Sequence, residues 1–328
     1  MSRPVAPSTV TGKPVGPVGF GLMSFTLPWE NVEPSAAVKV MKTALEQGAN
    51  FWNGGLFYGT PESNSLHLLK HYFEQYPEDA EKVVLNIKGA LDATMTPTGS
   101  PEAIRASVEE ALRILDGVKK IDIFECARVD PEVPIETSVK ALAELVSEGK
   151  IGGIGLSEVS AATIRRAHAV HPIASAEIEL SLFTTDPLNN GIVTTCHELG
   201  IPIAAYSPVG RGWLTGKYKK VEELPDHPFA RIWPRFQAGA FEQNLKLAGA
   251  VGEIAKRKGV TLPQVAIAWV RRQGAIPIPG TTKAERMVEN CADVQLSEEE
   301  LEELQQILKE FPVQGGRYPE QLSGLLDA

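Results

Sequence analysis

Short apolar and β-branched runs recur along the chain, each followed by a longer stretch whose apolar positions return every third or fourth residue. Continuous apolar runs of about four to eight residues mark buried strands, and the 3.6-residue period marks amphipathic helices. On this basis eight strands are predicted: Val18–Phe25, Asn50–Asn53, Lys82–Lys88, Lys120–Cys126, Ile151–Ser157, Ile173–Ser181, Ile201–Ser207 and Ala275–Pro279. Helical periodicity is clear over Ala36–Gln47, Ile104–Leu115, Thr137–Ser147 and Leu245–Lys258. Ser35, Ser100-Pro101 and Ser160 stand where N-caps belong, and Gly48, Gly149 and Gly259 follow helix ends.

Strands alternating with helices imply a parallel sheet covered by helices. Eight such units without a break in composition predict one α/β domain over residues 1–328, a closed (β/α)8 TIM barrel. A doubly wound open sheet is the competing architecture. Two segments interrupt the rhythm. Ser207–Asn244, after the seventh strand, far exceeds an ordinary βα loop and would lie at the C-terminal face, where barrels build their sites. The segment 297–328 begins as the acidic helix SEEELEELQQILKE and continues as irregular chain, either packed across the barrel mouth or solvated. Residues 1–17, rich in Pro, Gly, Ser and Thr, are expected to form a flexible N-terminal segment.

A net charge of -9 disfavours a general nucleic-acid binder, because affinity for phosphates comes mainly from Lys and Arg. It leaves room for one small anionic ligand in a local basic pocket. The three cysteines, Cys126, Cys196 and Cys291, show neither a CxxC pair nor zinc spacing, and no run of about 18 apolar residues or signal-peptide core occurs. A reduced, cytoplasmic protein without metal or membrane partner is expected. The oligomeric state stays open.

Three clusters fall at predicted strand ends. FWNGGLFYG places Tyr58 just past strand two, and VVLNIK places Lys88 at the end of strand three, one strand away. A lysine closing an apolar strand is rarely buried without a partner or a task. A phenol titrates near 10, and a neighbouring ammonium lowers that value, so Tyr58 beside Lys88 could protonate an alkoxide formed on a reduced carbonyl. AAYSPVGRGWLTGKY combines close-approach glycines, Gly210, Gly212 and Gly216, with Arg211, Lys217 and Lys219. IPIPGTTKAERMVEN runs through Gly280, Thr281 and Thr282 into a helix start where Lys283 and Arg286 oppose the dipole, as an anion would require.

These motifs, with KIDIFECARVDP and EGKIGGIGLSEVS, resemble the aldo-keto reductase superfamily from Val18 to about Pro312. The phrases FWNGGLFYGTPES, ECARVDPEVPIE, IGLSEVSAATIRRA and FPVQGGRYPE are most similar to its branch of fungal pyridoxal reductases. The resemblance implies NADPH-dependent reduction of an aldehyde, with pyridoxal favoured, Tyr58 as acid and Lys88 lowering its pKa. It further implies that Ser157 and Glu177 meet the nicotinamide carboxamide and that Tyr206 stacks on the ring. Ser207, Gly210, Gly212, Leu214 and Lys217 would line the pyrophosphate. Thr281, Lys283 and Arg286 would hold the 2′-phosphate, and Glu289 and Asn290 the adenine. Trp29 and Ala127 are candidate substrate contacts.

The chain departs from the family pattern at Asn53, usually Asp, at Ala127, usually His, and at Glu158 and Glu177, usually Asn and Gln. Asn53 cannot balance the charge of Lys88. Strand alternation puts Glu125 on the inward face with Ala127, so a Glu125–Lys88 pair is expected, unless strand four bulges and turns Glu125 to solvent. Competing functional readings are a general aldehyde or ketone reductase of the same family, and a weakly catalytic NADPH-binding regulatory subunit.

Overall fold

The apolar runs become eight strands that pair in chain order: β1 (Phe20–Gly21), β2 (Phe51–Gly55), β3 (Val84–Gly89), β4 (Ile123–Cys126), β5 (Ile154–Ser157), β6 (Ile173–Glu179), β7 (Ile203–Tyr206) and β8 (Ala275–Pro277). The computed structural model describes residues 8–30, 32–224 and 232–328, with backbone alone for 322 and 323. All neighbouring strands run parallel. The sheet closes where Gly19 N donates to Pro277 O at 2.8 Å and Gly21 N to Pro279 O at 3.2 Å. The prolines have no N–H, so β8 only accepts along this seam. A Cβ on Gly19 would lie 2.7 Å from Phe51 O, so the seam tolerates no side chain there. The expected (β/α)8 TIM barrel is therefore the fold.

Ten helices of seven residues or more, among the described residues, cover the sheet: α1 (Pro34–Glu46), α2 (Ser65–Gln75), α3 (Pro101–Leu115), α4 (Ile135–Ser147), α5 (Ala161–Val170), α6 (Ile192–Leu199), α7 (Ala240–Lys258), α8 (Leu262–Arg272), α9 (Ala284–Asn290) and α10 (Glu298–Glu310). Ser100 and Ser160 cap α3 and α5 through their hydroxyls, as their positions predict. Ser35 does not cap α1. The helix begins two residues earlier, with Glu33 as N-cap and Pro34 at the first position, because proline's fixed φ suits a helix start. None of the described helices is long and apolar enough to cross a membrane.

Residues 8–17 are not the flexible lead-in expected of them. Thr9–Val10 and Lys13–Pro14 form a hairpin, and Val10, 1 % exposed, plugs the base of the barrel. Val10 packs in one apolar cluster with Phe51, Val84, Ile123, Ala204, Ile276 and Ile278, from β2, β3, β4, β7 and the β8 end. Residues 1–7 of that predicted segment lie outside the described residues. Above this apolar floor the same inward alternation brings polar side chains: Asn53 on β2, Asn86 and Lys88 on β3, Glu125 on β4, Ser157 on β5, and Glu177 and Glu179 on β6. The barrel is thus apolar below and charged above.

Candidate active site

At the C-terminal mouth the β2–α2 loop presents Tyr58. A small hairpin, Gly59–Thr60 with Ser63–Asn64, holds the loop, and Gly59 has φ +125° with Ser63 O 2.2 Å from where a Cβ would sit. Only glycine fits such a position. Thr26 Oγ1 donates to Tyr58 O at 2.5 Å, and the Tyr58 ring lies over Gly55, whose Cβ would meet it at 3.2 Å. The phenol is half-buried over the mouth.

Beneath it Lys88 is 3 % exposed and Glu125 fully buried, and the two face each other directly in the β3–β4 register. Lys88 Nζ lies 2.5 Å from Glu125 Oε1 and 2.7 Å from Glu177 Oε1, and donates to Ser157 Oγ at 3.1 Å. Asn53 Nδ2 donates to the other oxygen of Glu177 at 2.6 Å. Gly155 makes room, since a Cβ there would approach Glu125 Oε2 to 2.8 Å. Strand four does not bulge, and the carboxylate that accompanies Lys88 comes from β4 instead of β2.

Glu177, assigned by resemblance to the carboxamide, does not stand free in the mouth but bonds Lys88 and Asn53. Burial and the nearby Glu125 raise its carboxyl to about 8 against the pull of Lys88. Nor does Lys88 leave Tyr58 with a lowered pKa. Burial raises the phenol, Lys88 and Arg128 pull it down, and Glu177 and Glu125 push it up, with a net rise. One ammonium faced by two carboxyl groups has little field to spare.

A second charged cluster closes the mouth. Glu158 and Glu179 are both buried, and Arg317, from the segment after α10, donates from Nη2 to both Glu158 oxygens at 2.7 Å and from Nε to Glu179 Oε2 at 3.3 Å. The same guanidinium reaches Tyr206 Oη at 3.2 Å. Arg211 donates to Glu179 Oε2 at 2.7 Å and to Arg317 O at 2.9 Å, and stacks between Trp233 and Tyr318, at 4.6 and 4.2 Å from their ring centroids. Ala328 N bonds Glu158 O at 3.2 Å and Ser160 N bonds Ala328 O at 2.9 Å. The segment left open by the sequence therefore packs across the mouth as a strap. Non-glycine residues with positive φ gather at the same face: Ala90 at 58°, Glu158 at 54°, Ser207 at 52° and Arg211 at 56°. Such strain is held by surrounding contacts and is common at functional sites.

Arg317→Ala should free this strap. It leaves Glu158 buried without its cation, and removing one partner of a buried pair costs about 3–5 kcal/mol. A lower melting temperature and early protease cuts after Pro312 are expected, read by mass spectrometry. Wild-type resistance after Pro312 would show that Arg317 does not hold the strap.

The long β7–α7 loop runs beside the strap. Trp213 stacks on Phe183 and Phe236, with centroids 5.5 and 5.1 Å apart, and pins the Gly210–Thr215 turn. Gly210 and Leu214 are buried there, and Gly212 has φ +100°. The basic part of this loop at Lys217 is exposed, its ammonium 5.4 Å over the Tyr218 ring, and residues 225–231 lie outside those described. Past β8, Thr281 is buried and its Oγ1 accepts from Lys283 N at 3.2 Å. Lys283 and Arg286 are exposed, and among the described residues neither has a carboxylate at ion-pair distance. Glu289 is half-buried and Asn290 buried on α9. Trp29, 37 % exposed after β1, and Ala127, 1 % exposed after β4, flank the mouth from different loops.

Sequence reasoning did not single out Glu179, Arg128, Arg235 or Arg317. Glu179 carries a readable signal, two residues beyond Glu177 on the same inward face. Arg317 carries none, because its partners lie 138 and 159 residues away in sequence.

A parallel barrel whose mouth sets a tyrosine over an ion-paired lysine belongs to the reductase class of barrels. Residues 17–309 match the aldo/keto reductase family, and the chain belongs to that family of oxidoreductases, which use nicotinamide cofactors. It is 44% identical over 97% of its length, and 98% of the relative's, to the probable pyridoxal reductase 2 of Schizosaccharomyces pombe. It is 40% identical to the probable aldo-keto reductase 1 of Glycine max, over 94% of this chain and 89% of that one. The solved glycerol dehydrogenase of Gluconobacter oxydans shares the fold, with a TM-score of 0.84, 24% identity, and coverage of 96% of this chain and 98% of its own.

Proposed function

We propose that the chain reduces an aldehyde to an alcohol with NADPH, with pyridoxal as the favoured substrate. The observation that carries this reading is the Tyr58 phenol over the buried Lys88–Glu125–Glu177 group at a barrel mouth. A bound reduced nicotinamide would supply a hydride, two electrons with one hydrogen nucleus, to the carbonyl carbon. Tyr58 gives its proton to the carbonyl oxygen as charge develops there, and Lys88 steadies the phenolate left behind. Ala127 leaves space beside the carbonyl for a substituted ring. The similarity to a probable pyridoxal reductase favours that ring aldehyde over a short one.

The residues present fit the dinucleotide. The Gly210–Leu214 turn brings backbone close to a ligand without side-chain bulk, and Lys283 and Arg286 offer cations free of acid partners among the described residues. Ser157 keeps its O–H to donate to a carboxamide, since Lys88 uses only its lone pair. A weakly catalytic cofactor-binding subunit is the second reading, favoured by the amide at Asn53 and the methyl group at Ala127. Loss of nicotinamide absorbance with pyridoxal, measured beside short aldehydes, separates the two: binding without turnover of any aldehyde would leave the subunit.

Cofactor choice is tested at Arg286. A charge-assisted contact contributes about 1.5–3 kcal/mol, so Arg286→Ala should weaken NADPH roughly tenfold or more and leave NADH almost unchanged. Equal effects on both cofactors would remove Arg286 from the 2′-phosphate.

A further inference from the structure

The buried cations of the mouth are almost all spoken for. Lys88 is balanced by Glu125 and Glu177, Arg211 by Glu179, and Arg317 by Glu158, Glu179 and Asp327. Arg235 lies 3.7 Å from Glu179 and donates to Thr184 Oγ1 at 2.8 Å. Arg128 differs. Half-buried two residues past β4, it has no carboxylate at ion-pair distance among the described residues, and its one side-chain hydrogen bond runs from Nη1 to the adjacent Ala127 O at 2.5 Å.

A guanidinium carries five N–H donors in a planar fork, so most of those on Arg128 remain available. Its electrical surroundings are the mouth itself. Burial opposes its charge, while the phenols of Tyr206, Tyr318 and Tyr58 and the carboxylate of Glu158 favour it, with a net rise in pKa. It is also, with Lys88, one of two cations that pull the Tyr58 phenol down. Lys88 is ion-paired to two carboxyl groups, whereas Arg128 has none at ion-pair distance among the described residues.

We infer that Arg128 is a catalytic residue, donating hydrogen bonds to the carbonyl oxygen from the loop beside Ala127, whose methyl group can donate none. The inference rests on the reductase reading. As the carbonyl carbon accepts hydride, the C=O π pair moves onto oxygen. That oxygen takes the proton of Tyr58, and Arg128 keeps all of its own. Donors placed in advance where negative charge develops stabilise the transition state more than the bound substrate, so the benefit falls on kcat.

The test compares wild type, Arg128→Met and Arg128→Lys with pyridoxal and a short aldehyde. NADPH affinity is followed separately by quenching of tryptophan fluorescence. Arg128→Met should lose about 10²–10³-fold in kcat, in the range for one lost oxyanion donor. NADPH affinity should stay within a few-fold of wild type, and added methylguanidinium should restore part of the lost kcat. Arg128→Lys, which keeps the charge but loses the fork, should fall between the two and carries the test if the Met variant does not fold. An unchanged kcat in either variant overturns the inference, and so does a loss confined to NADPH affinity. A wild-type chain that turns over no aldehyde removes the reductase reading itself, an outcome distinct from wild-type turnover that Arg128→Met leaves intact.

Discussion

Tyr58→Phe is expected to lower turnover by roughly 10²–10⁴-fold while leaving NADPH affinity near wild type. The substitution keeps the ring that packs on Gly55 and the backbone held by Thr26, so the loop stays in place. Only the transferable proton is lost. Because burial and the two acids outweigh Lys88 and Arg128, the phenol titrates above its ordinary value and holds its proton throughout the neutral range. That does not make it a poor donor, since an alkoxide is a stronger base than a phenolate and takes the proton once hydride has arrived. Activity is lost when Tyr58 ionises, so the alkaline limb of the kcat profile should lie above pH 10. Rates measured from pH 6 to 11 check both points, as order-of-magnitude choices spanning the phenol range. An alkaline limb near neutrality, or a Phe variant with ordinary turnover, would remove Tyr58 as the acid.

Much of this arrangement can be read from sequence because it depends on short-range periodicity. The eight strand-and-helix units, their order and the inward face of each strand follow from alternation, and Glu125 meets Lys88 because adjacent strands hold those positions in register. Sequence resolves the first strand poorly: Val18–Phe25 contains only Phe20–Gly21 as strand, because Gly21 is drawn to Gly280 at the seam and the chain then turns into Met23–Phe25. Charge balance was read less well. Deciding whether Lys88 lowers the Tyr58 pKa requires counting every group around the lysine, and Glu177 arrives from β6, two strands beyond β4 in the sheet. The strap lies further still from local rules. Arg317 and Tyr318 stand in an irregular Gly- and Pro-containing stretch with no periodicity, and it is ordered by distant partners, Glu158, Glu179, Tyr206 and Arg211 among them.

Lys88→Met should be the most damaging single change in the barrel, in stability and in activity together. The methionine fills much of the same volume but leaves Glu125 and Glu177 buried without a cation, and breaking a buried pair in this way costs about 3–5 kcal/mol. The loss depends on pH in a fixed direction. In the native chain the carboxyl of Glu177 is raised to about 8 from an ordinary 4.5, so the stability it contributes is complete below 4.5 and is lost as pH rises toward 8. Lys88, raised above its ordinary 10.5, is protonated in both states across the neutral range, so its contribution is constant there and is lost only as pH rises past 10.5. Without the ammonium the Glu177 carboxyl resists ionisation more strongly, and the decline with pH extends further. The melting temperature of Lys88→Met should therefore lie closest to wild type near pH 5 and fall away toward pH 9, on the order of the carboxyl range just described. Adding Glu125→Gln removes one of the stranded charges and should recover part of the stability, since neighbouring sites of this kind are not additive. It should not recover turnover, because neither substitution returns a cation beneath Tyr58. Calorimetry across pH and NADPH-coupled rates on the single and double variants decide the matter. A gap in melting temperature that does not change with pH would mean that Glu125 and Glu177 are not the groups Lys88 balances.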